Sequence, residues 1–494
     1  MKNDKHKCDH SRLIHVLQNQ AQVLNLVGKN ERSLACLKRG LAVSKRCGDK
    51  RSQADCLEQL CQTYSSLSRY QEMQAAALGA FELYQELDDR KGQAASLNNF
   101  GYVHNRMGDY PRAREQYSES LKIQEAIGDR QGQAYSLSNI GTAHNCQGDF
   151  PRALDHFTRS LKIQEEIGDR PGQALSHSNL GGVYGQQGDY PRALEHYDRS
   201  LNIRKQIGDR QGQANNLSNI GVVRSLVGDW PGTLEYNTRS LKIREETGDR
   251  RGQALCLSNI GAVHRQLGDY PRAQACYASS LKIQEEIRDR KNQAISLNNL
   301  GGVHEDLGDE DRALEHYRRS LKMREEMGDS LGQATSLNSI ANVCLARGEI
   351  IEAGELLLRA EKIARDRGGK NILRKIFLSL GELELSRPAP DTSPARALEY
   401  AEQSLQLAGE LKSRSGRAEA LLLQARIERS EDKFKEAVSI FRELNNPLET
   451  AKAVFYHGST MPARDAVDRA RVMFERLGAK GWLARAGQGG EPAR

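Results

Sequence analysis

Apolar residues recur at steps of three and four along most of the chain, which is the spacing of one face of an α-helix. In the segment 131–161 the apolar or small residues with this spacing are Ala134, Leu137, Ile140, Gly141 and His144, and then Ala153, Phe157 and Leu161. The pattern predicts two amphipathic helices with a short polar break between them.

Two Gly-Asp motifs separate the predicted helices, and both recur every 40 residues. The first is Gly128-Asp129-Arg130, with copies at 168–170, 208–210 and 248–250; the second is Gly108-Asp109-Tyr110-Pro111, with copies at 148–151, 188–191, 228–231 and 268–271. Gly can end a helix in the left-handed conformation, and Asp can accept hydrogen bonds from the first free N–H groups of the next helix. Each period therefore predicts one pair of antiparallel helices.

The repeat divides the chain into four parts. Residues 1–10 are predicted to be a disordered basic N-terminus, and residues 11–368 hold nine regular 40-residue units. Residues 369–482 hold about three degenerate helix pairs and a C-terminal cap, and residues 483–494 are predicted to be a disordered tail. One pair cannot bury both of its apolar stripes, so neighbouring pairs must cover them. The predicted fold is an all-α solenoid of stacked helix pairs.

A glycine is predicted in the middle of the first helix of six units. These residues are Gly101, Gly141, Gly181, Gly221, Gly261 and Gly301. Each costs about 1 kcal/mol relative to Ala in a helix interior. Their recurrence predicts a contact between helices that is too close for a side chain.

The unit 131–170 resembles the tetratricopeptide repeat family. The residues that carry the resemblance are Ile140-Gly141, the turn residue Gly148, Phe150, Ala153 and Phe157. Leu137 and His144 stand where the family usually has Trp and Tyr. The period of 40 exceeds the common length of about 34 and is similar to the subgroup found in kinesin light chains, Pins-type adaptors and bacterial regulators. The resemblance implies a right-handed superhelix whose first helices line a concave groove.

Composition agrees with many thin layers rather than one large core. Apolar residues make up 38% of the chain and aromatic residues 5%. No run approaches the roughly 18 apolar residues of a membrane helix, and the N-terminus lacks the apolar segment of a signal peptide. The nine cysteines form no C-x-x-C pair, which favours reduced thiols. We expect a soluble, cytoplasmic protein, and the near-identical repeats suggest a bacterial one.

The net charge of +7 is concentrated at the start of the chain. Residues 1–50 carry 11 Lys and Arg against four Asp and Glu. A basic first repeat could attract phosphates or an acidic partner, although a charged end cap is the simpler interpretation. Nucleic acid is therefore an unlikely partner, and binding to it would depend steeply on salt.

A ladder of amides occupies one position of the predicted groove. Its members are Asn19, Gln59, Asn99, Asn139, Asn179, Asn219, Asn259 and Asn299. An amide offers both a donor and an acceptor, so the ladder could pair with the backbone of an extended peptide. The alternative is that each amide bonds the neighbouring repeat and orders the stacking. The sequence leaves both interpretations open.

Groove positions that differ between repeats should set specificity. The candidates are Tyr102, Asn105, Arg106, Asn145, Arg265, Glu305 and Asp306. Their charge changes from basic at Arg106 to acidic at Glu305 and Asp306, which predicts an extended ligand of mixed polarity.

Motifs that resemble chemistry have simpler explanations. His104, His144, His264 and His304 occupy one equivalent position in different repeats, so they cannot converge on one metal ion. Gly181–Gly185 lies inside a predicted helix and follows no strand, which argues against a phosphate loop. We therefore expect no catalytic residue, metal or cofactor.

These observations predict a non-catalytic scaffold or adaptor that binds a protein or peptide in the concave groove. The alternative function is a regulatory peptide sensor that controls a separate enzyme or effector through a change in the curvature of the solenoid. The sequence identifies neither the partner nor the oligomeric state.

Overall fold

The structure is a computed structural model of the chain, and it describes residues 2–26, 28–461 and 464–487. Within these ranges every regular element is an α-helix, which confirms the predicted all-α fold of tandem helix pairs. The chain divides into two compact units, residues 1–208 (unit 1) and residues 209–494 (unit 2). In each pair the first helix is here called helix A and the second helix B.

Unit 1 contains five helix pairs in its described residues. They are α1 (Lys2–Leu26) with α2 (Asn30–Arg46), α3 (Lys50–Ser66) with α4 (Tyr70–Glu86), α5 (Arg90–Arg106) with α6 (Tyr110–Ala126), α7 (Arg130–Cys146) with α8 (Phe150–Glu166), and α9 (Arg170–Gln187) with α10 (Tyr190–Gln206).

Unit 2 contains seven helix pairs and one further helix in its described residues. The regular pairs are α11 (Arg210–Leu226) with α12 (Trp230–Thr247), α13 (Arg250–Gln266) with α14 (Tyr270–Glu286), α15 (Arg290–Asp306) with α16 (Glu310–Met327), and α17 (Ser330–Arg347) with α18 (Ile350–Asp366). The irregular helices are α19 (Lys370–Ser386), α20 (Pro394–Glu410), α21 (Arg414–Glu428), α22 (Glu431–Glu443), α23 (Pro447–Thr460), α24 (Arg464–Leu477) and α25 (Lys480–Gly487).

The Gly-Asp motifs end one helix and begin the next, as their chemistry predicts. Gly128 has a φ of +71°, and the side chain of Asp129 accepts a hydrogen bond of 3.0 Å from the backbone N–H of Gly132. A cap of this kind typically contributes about 1 kcal/mol to helix stability. The repeat of the motif therefore fixes where each helix starts.

Five of the six mid-helix glycines lie against an aromatic residue of helix B, and Gly221 lies against Asn237, which confirms the predicted close contact. A Cβ atom at Gly101 would stand 2.5 Å from the ring of Tyr117, and one at Gly141 would stand 2.9 Å from the ring of Phe157. Both distances are shorter than real Cβ contacts, so only glycine allows the ring to pack on the backbone of helix A. This contact sets the distance between the helices of a pair.

A buried serine on helix B adds a polar bond inside the pair. In α8, Ser160 Oγ donates to the backbone carbonyl of Ala134 at 2.7 Å, and in α16, Ser320 Oγ donates to that of Ala294 at 2.7 Å. Neighbouring pairs then share an apolar layer, in which Ile140 of α7 packs on Ala113 and Tyr117 of α6. Each pair is thus closed by its neighbours, as the repeat predicts.

The C-terminal helices of unit 2 fold back onto the turns between helices A and B of three earlier pairs. A Cβ atom at Gly228 would stand 2.4 Å from the carbonyl oxygen of Leu444, and one at Gly268 would stand 2.7 Å from that of Leu477. At the next turn, a Cβ atom at Gly308 would stand 2.9 Å from Cα of Gly481. Three successive turns between helices A and B are therefore in contact with residues of the C-terminal helices.

Polar and aromatic contacts hold this fold-back in place. Asn445 Nδ2 donates to the carbonyl of Gly228 at 3.1 Å, and Trp230 Nε1 donates to the carbonyl of Asn445. In the same region Tyr270 is 1% exposed, whereas Tyr110 and Tyr190, at the equivalent position in unit 1, are only half-buried. The fold-back thus buries side chains that the other repeats leave partly in water.

The observed helices extend beyond the predicted limits at both ends. The first helix begins at Lys2, although residues 1–10 are predicted to be disordered; residues 2–10 contain no Gly or Pro that would interrupt it. The last helix continues to Gly487, although residues 483–494 are predicted to be a disordered tail. It does so because Trp482 stacks on Phe474 at 5.8 Å and Ala486 is buried. Met1 and residues 488–494 lie outside the described residues.

None of the described helices combines the length and apolarity that crossing a bilayer requires.

Replacing Gly228 by Ala should release the fold-back. The substitution costs about 1–2 kcal/mol of backbone strain at a positive φ, and it also forces the new Cβ into the carbonyl of Leu444. We expect faster amide hydrogen exchange in α22 and α23.

Gly148→Ala is the matched control, because Gly148 has a similar φ of +79° and no atom within 4 Å of its added Cβ. It should lose similar stability from strain without changing exchange in α22 or α23. Equal exchange in the two variants would disprove the fold-back.

Candidate functional site

The amide ladder occupies an equivalent position on each helix A, directly before the residue that precedes the mid-helix glycine. Unit 1 holds Asn19 in α1, Gln59 in α3, Asn99 in α5, Asn139 in α7 and Asn179 in α9, and unit 2 holds Asn219 in α11, Asn259 in α13 and Asn299 in α15. Asn19 is exposed, and the other seven side chains are half-buried. A half-buried amide can contact both a neighbouring helix and a ligand.

Two ladder amides bond other side chains of the protein. Asn179 Nδ2 donates to Ser138 Oγ of the preceding pair at 3.4 Å, and Asn259 Nδ2 donates to Asn237 Oδ1, also of the preceding pair, at 3.1 Å. These bonds agree with a packing role at Asn179 and Asn259. By contrast, the other six ladder amides, with Asn99 and Asn139 in unit 1 and Asn219 and Asn299 in unit 2 among them, make no side-chain hydrogen bond within the described residues, so their donors and acceptors are available to a ligand.

The variable positions of unit 1 form a polar surface at the C-terminal ends of α5 and α7. Arg106 is exposed, and its Nε donates to Tyr70 Oη at 3.1 Å while its guanidinium lies 5.7 Å from the centre of that ring. Tyr102, Asn105 and Asn145 are half-buried. The oxygens Oδ1 of Asn105 and Asn145 are shielded from solvent and have no hydrogen-bond partner among the described residues. An unsatisfied amide oxygen of this kind is costly unless a donor reaches it.

The three predicted groove residues of unit 2 come together and contact one another. Arg265 Nε lies 2.7 Å from Asp306 Oδ2, and Glu305 Oε2 accepts a hydrogen bond of 2.7 Å from Tyr317 Oη. Asp306 is 4% exposed. These side chains are therefore engaged within the protein, and the acidic end of the predicted groove is matched by a cation of the preceding pair.

The fold-back adds further charges to this cluster. Lys452 of α23 pairs with Glu449 at 2.7 Å. Burial, followed by the charge of Asp306, raises the pKa of Glu305, and Lys452 acts in the opposite direction. Although burial opposes the ammonium form, Glu449 and Asp306 raise the pKa of Lys452. Arg265, Glu305 and Asp306 thus form, with Lys452 and Glu449, an ionic cluster whose direct ion pairs are Arg265–Asp306 and Lys452–Glu449.

The contribution of α23 to this cluster could not be inferred from one repeat at a time. A signal was nevertheless present, because position 306 is acidic whereas the equivalent positions hold Arg106, Cys146, Gln186, Leu226 and Gln266. An acidic residue that only one of these repeats carries indicates a cationic partner that the other repeats lack.

His144 and His304 each pack against a second histidine of their own repeat, as does His177, whereas His104 and His264 lie near Asp109 and Asp269. His144 stacks on His156 with ring centres 5.4 Å apart, and His304 stacks on His316 at 5.3 Å. The Nδ1 atoms of His177 and His196 lie 3.0 Å apart. These contacts agree with a packing role.

Among the described residues, one set of three potential metal ligands lies close together, Cys344 with Glu349 and Glu352. Burial, followed by the nearby glutamates, raises the pKa of Cys344 to about 12, so the thiolate that would bind a metal is disfavoured. Both glutamates are exposed, and the group has the character of a solvated acidic surface.

Comparison with protein-family models identifies the tetratricopeptide repeat along most of the chain. The model matches residues 53–126, 132–206, 172–246, 212–286, 252–326 and 292–366. Comparison with curated proteins gives no match.

Solved structures share the fold at low sequence identity. A Signal Transduction ATPase with Numerous Domains protein from Pyrococcus horikoshii, which has a tetratricopeptide repeat sensor, is 13% identical with a TM-score of 0.53; the match covers 70% of this chain and 54% of that one. A Rap protein complexed with Competence and Sporulation Factor is 16% identical with a TM-score of 0.48; the match covers 78% of this chain and 99% of that one. BtubC from P. vanneervenii is 21% identical with a TM-score of 0.41; the match covers 44% of this chain and 92% of that one.

Replacing Asp306 by Asn should weaken the attachment of α23. The change removes the carboxylate that pairs with Arg265 and attracts Lys452, and breaking a buried pair typically costs about 3 kcal/mol. We expect a lower denaturation midpoint and faster hydrogen exchange in α23. Glu286→Gln is the control, because it breaks the exposed Arg250–Glu286 pair of the same unit and should cost less than about 1 kcal/mol. Equal losses would contradict the role of the cluster.

The histidine pairs should make stability depend on pH. Burial, followed by the charges of His196 and Arg199, lowers the pKa of His177 to about 4, with Glu195 opposing. Since the unfolded chain takes up this proton near pH 6.5 and the folded chain does not, stability falls as pH decreases from 6.5 towards 4. At pH 5.5 we expect His177 to contribute a loss of about 1 kcal/mol relative to pH 7.5. Denaturation curves of the wild type and His177→Gln measure this, and an unchanged pH dependence in the variant would refute it.

Proposed function

The chain belongs to the tetratricopeptide repeat family, and from that premise we propose that it is a non-catalytic scaffold that binds an extended protein segment along the helix A face of unit 1. The observation that carries this proposal is the row of amides on α5 and α7 without partners among the described residues. In that part of the chain the side chains of Asn99 and Asn139 make no hydrogen bond, and the shielded oxygens of Asn105 and Asn145 have no donor.

An extended backbone supplies the groups that this face lacks. Each residue of a peptide offers an N–H and a C=O, which can pair with successive side-chain amides whatever the peptide sequence is. Affinity would come from these repeated contacts, and register from the residues that differ between repeats.

Arg106 and Tyr102 would set the register. Arg106 is exposed and rests on the ring of Tyr70, which limits its freedom and leaves it directed by a cation–π contact. A carboxylate or a phosphate of the ligand would pair with this guanidinium. Tyr102, four residues earlier on α5, offers an aromatic surface next to it. The ligand is thus an extended segment of mixed polarity with at least one acidic group.

Unit 1 is also the part of the protein whose repeats carry no fold-back. Added Cβ atoms at Gly108, Gly148 and Gly188 would meet no atom within 4 Å, whereas the equivalent Gly228 and Gly268 contact the C-terminal helices. In unit 2 the predicted groove residues Arg265 and Asp306 satisfy each other. These differences favour unit 1 as the binding face.

A regulatory sensor is the second candidate function, and the fold-back favours it. Apolar residues of α23 pack with Leu300 and Val303 of α15, and the buried Arg265–Asp306 pair lies in the same part of unit 2, so a ligand that competes for these charges would loosen α23. A change in the radius of gyration on ligand binding, measured by small-angle scattering, would support the sensor. An unchanged radius at saturation would leave the scaffold as the function.

The scaffold proposal is tested by selecting peptides from a random phage-displayed library on the full chain and measuring their affinity by fluorescence anisotropy. Asn99→Ala combined with Asn139→Ala should weaken the selected peptides about tenfold or more, without lowering the denaturation midpoint, because neither amide has an internal partner.

Two further variants separate ligand binding from packing. Asn179→Ala breaks the bond to Ser138 and should cost about 1 kcal/mol of stability. Lys122→Ala combined with Lys162→Ala changes exposed positions on helix B of the same two repeats and should leave affinity unchanged. Failure to select any peptide, or equal affinity in the Asn99/Asn139 variant and the wild type, would refute the proposal.

A further inference from the structure

A cavity of about 730 Å³ lies in unit 2 between α15, the end of α16, and the N-terminal turns of α17 and α19. It is separate from the ionic cluster of Arg265 and from the positions of unit 1. Its polar wall includes Arg324, Asn298, Asn299 and Lys370, and its apolar wall includes Ile295 and Leu331. A charged group, several amides and exposed aliphatic side chains thus face one space.

Arg324 is a buried cation with an incomplete set of acceptors. Its residue is 4% exposed, yet among the described residues it donates one hydrogen bond, from Nη1 to the carbonyl of Gly332. Nε has no partner. Burial lowers the pKa of Arg324, and the neighbouring charge of Asp329 does not offset this effect. A buried guanidinium in this state is stabilised by any anion that reaches it.

Arg244 is the equivalent arginine two helix pairs earlier, and its guanidinium has an acceptor for each of its nitrogens. Arg244 donates from Nε to Ser240 Oγ at 3.1 Å and from Nη2 to Asn215 Oδ1 at 2.9 Å, and it also pairs with Asp249. The position of Asn215 is taken by Ile295 in the later pair. This single change removes an acceptor and replaces it with an aliphatic wall of the cavity.

The capping carboxylate of the neighbouring helix is missing as well. Asp329 directly precedes α17 as its N-cap residue, and its Oδ1 accepts from the N–H of Gly332 at 3.1 Å. At the start of α19 the same position is Gly369, and no side chain caps this helix. The first turn of α19, with Gly369, Lys370 and Ile372, lines the cavity. Free N–H groups at a helix N-terminus attract a negative charge.

The walls of the cavity define the rest of the ligand. Ile295 is 40% exposed, and Leu331 and Leu411 are each 39% exposed, although all three are aliphatic. Covering such side chains with an aliphatic group is favourable by about 25 cal/mol per Å². Lys370 is already paired with Glu410 at 3.0 Å, and Asp329 accepts the N–H of Gly332 at the start of α17. Arg324 is therefore the one cation of this wall that lacks an anionic partner among the described residues, which suits a single small anion better than a polyanion.

We propose that this cavity binds a carboxylate carried by an aliphatic group. The carboxylate would lie between the guanidinium of Arg324 and the first turn of α19, and the aliphatic part would cover Ile295, Leu331 and Leu411. The C-terminus of a peptide that ends in Leu and a free aliphatic acid share this chemistry. The site lies in unit 2 and is independent of the unit 1 face, so either proposal can fail alone.

Calorimetric titration of the full chain with four probes tests the proposal. The probes are acetyl-Gly-Gly-Ser-Leu with a free carboxylate, the same peptide amidated, octanoate, and inorganic phosphate. We expect the peptide acid or octanoate to bind at least about tenfold more tightly than the amide and the phosphate. The tighter of the two carboxylates identifies the source. Equal binding of the acid and the amide, stronger binding of phosphate, or no binding by either carboxylate would overturn the proposal.

Matched variants assign the binding to this cavity. Arg324→Gln introduces the residue that the chain itself has at positions 124, 164 and 284, so it suits the fold, and it should weaken carboxylate binding about tenfold or more. Arg244→Gln alters the saturated arginine and should leave binding unchanged. Binding that survives Arg324→Gln, or that is lost equally in both variants, would refute the site.

Gly369→Asp provides a second, independent variant. It places a tethered carboxylate at the start of α19, where the other repeats carry Asp. The added Cβ meets only the end of the flexible Leu331 side chain within 3.0 Å. This variant should keep or raise the denaturation midpoint and should exclude the carboxylate probes. A folded Gly369→Asp protein that binds them as the wild type does would show that the anion lies elsewhere.

Discussion

The contact between a glycine of helix A and an aromatic ring of helix B is the constraint on which five of the nine regular pairs depend. At Gly101 and Gly141 the ring of the partner helix lies where a side chain would otherwise be. Because the ring reaches the backbone, the two helices approach closely enough to share one apolar layer with the next pair. Capping by Asp and the buried serine bonds then fix the ends and the rotation of each helix, and the period of 40 residues follows from their lengths.

The features that depend on neighbouring residues could be predicted from the sequence. Helix starts follow from Asp129 and its equivalents, and the glycine contact follows from its recurrence. The fold-back could not be predicted, because it joins Gly228 to Leu444 across more than 200 residues. For the same reason, the sequence predicts that Arg265 and Asp306 line a groove, while their pairing with each other and the proximity of Lys452 require knowledge of the packed structure. The ligand role of the amide ladder remains a prediction.

Equivalent positions acquire different properties when the residues around them change. Arg244 and Arg324 occupy the same place in their repeats, but an Asn faces the first and Ile295 faces the second. Tyr110 is half-buried in unit 1, whereas Tyr270 is enclosed by the C-terminal helices. A repeat protein of this kind therefore gains new sites by single substitutions against a constant background, without altering the helices that present them.

The fold-back also limits how this gene can evolve. Tandem repeats usually gain or lose whole units by unequal recombination, and a stack of equal pairs tolerates such changes because each pair touches only its neighbours. Between Gly228 and Leu444, however, the chain must leave one turn and return to it, so adding or deleting a unit there would carry Asn445 away from its acceptor. The number of helix pairs can thus vary before residue 208, but it cannot vary between Gly228 and Leu444 without breaking the fold-back.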